Sequence, residues 1–307
     1  MANTPITNAE YSVFTNLTTP LTALFYDQVM SGLASGDNLK ALFNPNQTST
    51  RASERNQGMG GFGDIPEYTG TIEYDSPDVL YQKEYQHVEF ARGFAVTRQQ
   101  VDDNEWGVIN SLPTQLGMAF GRKVVKDMAS IWNNAFSASY LGGDSVALCS
   151  NSHPRSPNDA ATVQDNLATT ALSHDAVVAA EAAMLGFTDS KGQPLNIVPD
   201  TILVPLALKA TAQVIAGSAL RSGVANNDTN TNAGYNVIWS SYLTDSNNWF
   251  LIDSMAARMW LRWFWRVQPE FALDPGSDFS LVAKYRGYMR YSYGWDHWAW
   301  IYGHSVT

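Results

Sequence analysis

Asp296 and His297 stand side by side near the end of the chain, in WDHWAW, and a carboxylate beside an imidazole can serve general-base catalysis. This segment has the composition of a strand, and consecutive strand residues point to opposite faces of a sheet. The carboxylate is therefore poorly placed to orient the imidazole. His153 precedes a proline and His174 follows a predicted helix cap, and neither has a second histidine at the four-residue spacing that holds a metal. We expect structural roles for these histidines.

The acidic pair and the cysteine, which could also take part in catalysis, have simpler structural explanations. Asp102 and Asp103 resemble a carboxylate pair, but they directly precede a helical pattern and are predicted to cap it. Cys149 is the one cysteine, so a single chain forms neither a disulfide nor a thiolate zinc site. No Gly-x-Ser-x-Gly nucleophile elbow occurs. The sequence therefore predicts no catalytic, cofactor-binding or metal-binding residue, and no enzyme.

Two segments look like binding loops only superficially. The glycines at 58, 60, 61 and 63 follow no predicted strand, and no Lys-Ser or Lys-Thr comes after them, so we expect no phosphate loop. The tract NDTNTNAG, 227–234, offers oxygen ligands but lacks the spacing and the terminal glutamate of an EF-hand loop. We expect a mobile loop at 51–64 and a flexible exposed loop at 225–234.

The composition restricts the class of function. The chain has 307 residues, of which 45% are hydrophobic, and a formal charge of -10 from 29 acidic and 19 basic residues. A net-acidic protein repels phosphate at long range, which disfavours a dedicated nucleic-acid binder. The sequence contains no run of about 18 apolar residues, so no membrane-spanning helix is predicted. The N-terminus also lacks the basic start and apolar run of a signal peptide.

The N-terminal third is predicted to form an arm and a long hairpin. Apolar residues recur at helical spacing over 21–33, which predicts a short amphipathic helix with extended flanks. The runs 68–75 and 79–98 have strand composition and are separated by a turn, which predicts a two-stranded ribbon. A ribbon of two strands is only marginally stable by itself. It needs a partner to lie against.

A long helix gives the strongest signal in the chain. Apolar residues follow one another at steps of three or four from Trp106 to Ala135, and a helix continuous to Ser139 would be about 55 Å long. Pro113 is predicted to kink it or to start it afresh. Further on, the pattern predicts a helix capped by Ser173, a buried strand at 200–205, a helix over 206–220, and strands at 235–243 and 249–254.

The sequence RMWLRWFWRVQPEF, 258–271, combines tryptophans with arginines. From Met255 onward the chain alternates as strands do, which places Met259, Leu261, Trp263 and Trp265 on one face. The other face carries three arginines and two aromatic residues, namely Arg258, Trp260, Arg262, Phe264 and Arg266. We expect the arginines to stack on Trp260 and Phe264, or to pair with acidic groups of a neighbouring subunit. Contact with DNA is the weaker alternative.

The second half of the chain resembles the major capsid proteins of tailed phages, nearest the group of the phage Mu head subunit. The resemblance covers about 145–300 and rests on the order and spacing of loose motifs rather than on any single one. The matching positions are Ser152-His153-Pro154, Asn166-Leu167, Leu172-Ser173, Lys191-Gly192, Pro194, Pro199-Asp200, Leu203-Val204-Pro205, Leu208 and Pro269-Glu270-Phe271, with YNVIWSSYLTDSNNWFLID between the last two.

The resemblance implies an α+β fold of the Hong Kong 97 type and names for its parts. These are an N-terminal arm (1–50), an extended E-loop hairpin (51–101), a P domain with a long spine helix (102–150), an A domain (151–254) and C-terminal strands of the P domain (255–307). The family's E-loops lie across a neighbouring subunit, which supplies the partner that the ribbon needs. The 225–234 loop would lie near the capsomer axis.

The function implied is a shell subunit of the virion capsid, assembled in the host cytoplasm around double-stranded DNA. Its partners would be itself, in hexamers and pentamers, a portal and decoration proteins, with DNA contacted weakly and no membrane. Because the E-loop begins near residue 51, a fused scaffold segment does not fit, and we expect a separate scaffolding protein or none. Two alternatives stay open: an encapsulin-like shell for cellular cargo, and a hydrolase that uses His297 or His153.

Overall fold

A computed structural model describes residues 8–34, 38–44, 47–72, 74–221, 228–274 and 281–307. Its helices are α1 (Asn8–Ala34), α2 (Arg98–Asp102), α3 (Trp106–Asn133), α4 (His174–Leu185), α5 (Lys209–Gly217) and α6 (Ser254–Trp260). Its strands are β1 (Ser53–Met59), β2 (Val79–Gln86), β3 (Val88–Thr97), β4 (His153–Ser156), β5 (Asp159–Gln164), β6 (Leu167–Ala168), β7 (Thr201–Pro205), β8 (Asn236–Ser240), β9 (Trp249–Ile252), β10 (Leu261–Leu273), β11 (Val282–Trp295) and β12 (Ile301–His304).

The long helix α3 packs against α1 through glycines. A Cβ on Gly117 would lie 2.5 Å from the carbonyl oxygen of Phe25, and one on Gly121 would lie 3.0 Å from the Cα of Gly32. The two backbones can approach this closely only because neither glycine has a side chain. Helix α1 is much longer than the predicted 21–33 helix, and Pro20 lies inside it. The polar, threonine-rich sequence before Leu21 carries no apolar period from which this length could be inferred.

Helix α3 confirms the predicted apolar stripe but not the predicted ends. It is 28 residues long, about 42 Å, and ends at Asn133 rather than Ser139. The capping role predicted for Asp102 and Asp103 is wrong. Thr97 caps the short helix α2 instead, in a capping box with Gln100, and Asp102 is the last residue of α2. Pro113 lies within α3 without ending it.

The sheet β10-β11-β3 lies against α3 and α1. Its strands are antiparallel, and aromatic rings from them fill the interior: Phe271 stacks on Tyr285 and Trp263 on Tyr291. Strands are predicted from Met255 onward, but the first of them begins only at Leu261, because residues 254–260 form α6, which Asp253 caps. The buried positions of β10 include both Trp263 and Phe264, because Trp263 stacks on Tyr291 and Tyr293 while Phe264 packs against Tyr85 of β2.

The second sheet, β6-β12-β9-β7-β8, carries the central part of the chain. Strand β7 is buried along its whole length, as its apolar sequence predicts, and Ser173 caps α4 by accepting a hydrogen bond from the amide of Ala176. Residues 225–227 of the predicted exposed loop lie outside the described residues. For the rest of that loop the prediction is wrong at Asn230 and Asn232, which are buried and hydrogen-bonded to backbone carbonyls.

The hairpin differs from the predicted ribbon in its pairing. Strand β1 lies within the segment predicted to be a mobile loop, and it pairs with β2 from Ser53↔Gln86 to Met59↔Val79. The run 68–75 is not a strand in its described residues. Strands β2 and β3 are separated at His87, after which β3 joins the β10-β11 sheet. Most side chains of β1 are polar and neither face is fully buried, so its sequence shows no alternation.

Candidate assembly interface

The connection between β1 and β2, residues 60–78, exposes apolar side chains to an unusual degree. Ile65 is 95% exposed and Tyr74 is 91% exposed. Phe62, Tyr68 and Ile72 are exposed as well. Contiguous exposed apolar surface of this kind marks an interaction site, because covering it removes apolar area from water. We call residues 60–78 the distal loop.

The distal loop is also acidic. Between Arg55 and Lys83 the sequence holds five acidic residues and no lysine or arginine. The acidic residues are Asp64, Glu67, Glu73, Asp75 and Asp78. A partner for this loop therefore has to combine apolar surface with positive charge.

The C-terminal end of the distal loop is held against the rest of its own chain by ion pairs and a hydrogen bond. The ammonium group of Lys191 lies 3.5 Å from a carboxylate oxygen of Asp75 and 3.8 Å from one of Asp78, and Asn158 donates a hydrogen bond to Asp78. The amide of Gly63 donates to Asp75 and lowers the pKa of that carboxyl, and Lys191 lowers it further. The exposed apolar part of the loop thus projects from a fixed base.

One carboxylate holds both strands of the hairpin at its junction with the sheet. Asp296 accepts hydrogen bonds from the Tyr85 hydroxyl at 2.6 Å, from the Asn56 amide at 3.1 Å and from Arg262 Nε at 2.5 Å. Tyr85 lies on β2, Asn56 on β1 and Arg262 on β10. Burial is the largest cause that raises the pKa of Tyr85, followed by the adjacent Asp296 charge. Asp296 therefore sets the direction in which the hairpin leaves the body.

The pair Asp296–His297 singled out from the sequence is not a base with its orienting group. The carboxylate binds the hairpin, while Nδ1 of His297 accepts a hydrogen bond from the amide of Ala299. Burial lowers the pKa of His297 to about 4, so the ring is neutral at pH 7. Its ring lies against Trp260 and Trp298.

His153 contacts the carboxylate of Asp144, a pairing that no sequence motif predicts. Its Nδ1 lies 2.7 Å from an oxygen of Asp144, and its fully buried ring stacks on Trp298. The stacking on Trp298 joins the β4–β5 hairpin to the C-terminal segment, and Asp144 ties it to the loop after α3. His174 presents Nε2 to the Thr231 hydroxyl at 3.4 Å. The structural roles expected for these histidines stay predictions.

The remaining histidines and the cysteine lie in the interior. His87 joins Ser49 to Ser292 at the break between β2 and β3. His304 stacks on Trp249, and burial lowers its pKa to about 4. Cys149 is buried, which raises the pKa of its thiol. Across the described parts of the chain, no group of three or more His, Cys, Asp and Glu side chains is arranged to hold a metal ion.

Two of the arginines in 258–266 bind groups of their own chain. Arg262 pairs with Asp296, and Arg258 Nε donates to the carbonyl of Ala41. Arg262 thus already has a carboxylate partner in its own chain, and the pairing of these arginines with a neighbouring subunit stays a prediction. Trp263 lies between Tyr291 and Tyr293 in the core. None of the helices that the structure describes is long and apolar enough to cross a membrane.

Comparison with known proteins gives one family and a consistent set of structures. The family model described as phage capsid protein matches residues 81–303. No curated protein matches the chain in sequence. The capsid of bacteriophage JBD30 is similar with a TM-score of 0.57 at 16% identity, over 69% of this chain and 92% of that one.

Two further structures extend the likeness. The JBD30 capsid decorated with minor capsid protein trimers has a TM-score of 0.53 at 17% identity, over 68% of this chain and 91% of that one. A virus-like particle from Pyrococcus furiosus has a TM-score of 0.53 at 12% identity, over 92% of this chain and 98% of that one. The nearer resemblance to the phage Mu head subunit stays a prediction. The α+β, Hong Kong 97-like fold is confirmed, and the chain belongs to the phage capsid protein family as a major capsid protein of the virion shell.

Proposed function

We propose that this protein builds its shell from hexamers and pentamers in which the distal loop of each subunit lies on a neighbour. The observation that carries the proposal is the exposure of Ile65, Tyr68 and Tyr74 on a loop with a fixed stem. A single loop contact is weak. A closed shell engages several neighbours at once, so the contacts act together with a high effective concentration.

The parts of the chain take the roles that their positions support. We assign 1–50 to the N-terminal arm, 51–101 to the E-loop, 102–150 to the P domain, 151–254 to the A domain and 255–307 to the C-terminal P-domain strands. The packing of α1 on α3 supports an arm that stabilises the spine helix of its own subunit. Strand β3 supports continuity between E-loop and P domain, because it pairs with β11.

Further partners follow from the same role. We assign to this shell a portal, a separate scaffolding protein and decoration proteins; the decorated JBD30 capsid supports the last of these. DNA is contacted weakly and without sequence specificity, since a subunit of formal charge -10 gains little from phosphate. The role is structural, without catalysis, and the contacts of His297 and His153 with backbone and core groups support this.

The encapsulin-like alternative differs in contents rather than in fold, as the similarity to the Pyrococcus furiosus particle illustrates. The test is to express the chain alone and together with candidate scaffolding proteins, and to measure sedimentation and nucleic-acid content. Closed particles that receive DNA through a portal support the phage shell. Particles that form only around a co-expressed cellular protein would favour the alternative, and a monomer at all concentrations would contradict both.

A further inference from the structure

Three segments of the chain meet at the imidazole of His87, which lies between β2 and β3. Before this residue β2 pairs with β1, and after it β3 pairs with β11, so His87 is the point at which the hairpin leaves the sheet. Its Nε2 lies 3.0 Å from the hydroxyl oxygen of Ser49, and its Nδ1 lies 3.0 Å from the hydroxyl oxygen of Ser292 on β11. All three residues are buried. The ring therefore bridges distant segments in a site from which water is largely excluded.

Ser49 belongs to a short extended segment, residues 47–49, which we call the arm end. Its amide donates a hydrogen bond to the carbonyl of Trp265, and the amide of Trp265 donates to the carbonyl of Gln47. These two bonds place the arm end along the outer edge of β10, parallel to that strand. Two backbone hydrogen bonds hold a segment only weakly. The contact between Ser49 and His87 adds a link from the arm end to the base of the hairpin.

The hydrogen bonds around Ser49 fix which nitrogen of His87 carries the proton. The hydroxyl of Ser49 donates to a carboxylate oxygen of Glu54 at 2.7 Å, and its oxygen accepts from the amide of Arg51. A hydroxyl has a single proton, so Ser49 can only accept from the imidazole. Nε2 of the neutral ring is therefore the donor, and Nδ1 accepts from Ser292. Both ring nitrogens are satisfied in this arrangement only while the ring is neutral.

A second proton on the ring is incompatible with this arrangement. Nδ1 would become a donor that points at the hydroxyl of Ser292, which must then turn its own proton towards another acceptor inside a buried site. The imidazolium would also meet charges from three strands: Arg290 on β11 and Arg266 on β10 repel it, and Glu54 on β1 attracts it. Burial is the largest cause that lowers the pKa of His87, and Arg290 lowers it further.

Two more ions lie next to these charges. The guanidinium of Arg51 lies 3.9 Å from a carboxylate oxygen of Glu54, and a carboxylate oxygen of Glu89 on β3 lies 3.6 Å from Nε of Arg290. Arg51 and Glu89 are exposed, so water screens both of them. The charges that act on the buried ring of His87 thus remain two arginines and one glutamate, a net positive surrounding that opposes protonation.

We propose that His87 is a positioning residue that couples the arm end to the base of the hairpin, and that its protonation in mildly acidic solution releases this coupling. A charged ring gains hydration by turning out to solvent, and it then gives up both Ser49 and Ser292. The arm end keeps only its bonds to Trp265 and Glu54. The proposal needs no neighbouring subunit, because every group in it belongs to one chain.

The sign of the pH dependence follows from the direction of the shift. The pKa of His87 in the folded chain lies below 6.5, so the unfolded chain binds this proton at higher pH than the folded chain. The coupling is therefore complete above pH 6.5 and is lost as the pH falls through the folded pKa. At neutral pH the arm end, the base of the hairpin and β11 are joined through one ring.

Distances between two spin labels measure the position of the arm end. One label is attached at Thr50→Cys, an exposed position next to the arm end, and the other at Val178→Cys on α4, while Cys149 stays unlabelled because it is buried. Between pH 7.5 and pH 5 we expect the distance distribution to broaden about twofold or more, as for a segment that opens locally. The control pair, Val163→Cys on β5 with Val178→Cys, is expected to keep its distribution.

Three variants carry the labels at Thr50→Cys and Val178→Cys. His87→Gln supplies a neutral side chain with one donor and one acceptor, so a narrow distribution is expected at both pH values. His87→Phe keeps a flat ring without hydrogen bonds, so a broad distribution is expected at both. His304→Gln removes another buried histidine, whose pKa is lowered to about 4, and is expected to respond to pH as the unaltered chain does.

The possible outcomes are distinct. Broadening at pH 5 that persists in His87→Gln would overturn the proposal, and so would a narrow distribution at pH 5 in the unaltered chain. A narrow distribution in His87→Phe at pH 7.5 would show that the ring does not couple the two segments. Equal broadening of the control pair would show unfolding of the whole chain instead and would also overturn it. The purified, unassembled chain is measured, so failure to form shells would contradict the proposed function without affecting this result.

Discussion

The hydroxyl of Tyr85 donates a 2.6 Å hydrogen bond to Asp296, a residue 211 positions further along the chain. This bond joins the hairpin strand β2 to the turn that follows β11. The same carboxylate binds β1 through Asn56 and β10 through Arg262. This side chain, together with the contacts of Lys191 and Asn158 at the other end of the hairpin, determines how the hairpin is oriented.

Removing the charge of Asp296 should loosen the hairpin. In Asp296→Asn the partly buried Arg262 loses its counter-ion, and we expect the free energy of unfolding to fall by about 2 to 3 kcal/mol. Tyr85→Phe removes one hydrogen bond only and should cost about 1 kcal/mol. Urea denaturation followed by tryptophan fluorescence measures both. Glu67→Gln, in the exposed distal loop, is the control, and a loss as large in that variant would refute the assignment.

Two glycines of the spine helix should respond in opposite directions to alanine. Gly117→Ala introduces a methyl group 2.5 Å from the carbonyl oxygen of Phe25, so α1 must shift and we expect a loss of about 1 to 3 kcal/mol. Gly107→Ala meets nothing within 4 Å and should gain up to about 1 kcal/mol from helix propensity. Thermal unfolding of the two variants measures these changes in stability. Equal shifts would show that α1 does not press on α3 at this glycine.

Stability should fall in mildly acidic solution because of His304. Burial lowers its pKa from 6.5 to about 4 in the folded chain, so between these values the unfolded chain binds more protons. Stability from this group is therefore complete above pH 6.5 and is lost as the pH falls towards 4. From pH 7 to pH 5 the loss is about 2 kcal/mol. Urea denaturation at both pH values measures the free energy of unfolding of the protein and of His304→Gln. If the variant loses as much stability between pH 7 and pH 5 as the unaltered protein, the claim is contradicted.

The spine helix could be predicted from the sequence, but the residues at which it begins and ends could not. The stripe from Ile109 to Ile131 faces the core and imposes a period that can be read directly. The start is not marked by a capping side chain, because α3 begins after Glu105 without a side-chain cap, while Asp102 ends the separate helix α2. Helix α1 was underestimated because tertiary packing on α3 extends it through sequence of low helix propensity.

The junction of the hairpin could not be predicted at all. Asp296 drew attention only through its neighbour His297, and its true partners Asn56, Tyr85 and Arg262 come from distant segments. The strand β1 was missed because its half-buried face carries polar residues and glycine, so the sequence shows no apolar alternation. The distal loop, by contrast, showed its acidic and aromatic character in the sequence, but its exposure follows only from the fold.

Replacing 61–77 by Asn-Gly tests the central claim, that the distal loop closes the shell. Gly60 already donates a backbone hydrogen bond to Asp78, so a two-residue turn can join β1 to β2 and leave the contact between Asp78 and Lys191 in place. The control keeps the loop but carries Thr69→Ala and Thr71→Ala. Negative-stain electron microscopy of the two purified proteins is the measurement. The account predicts closed particles from the control and only soluble capsomers or monomers from the shortened chain; closed particles of normal size from the shortened chain would contradict it.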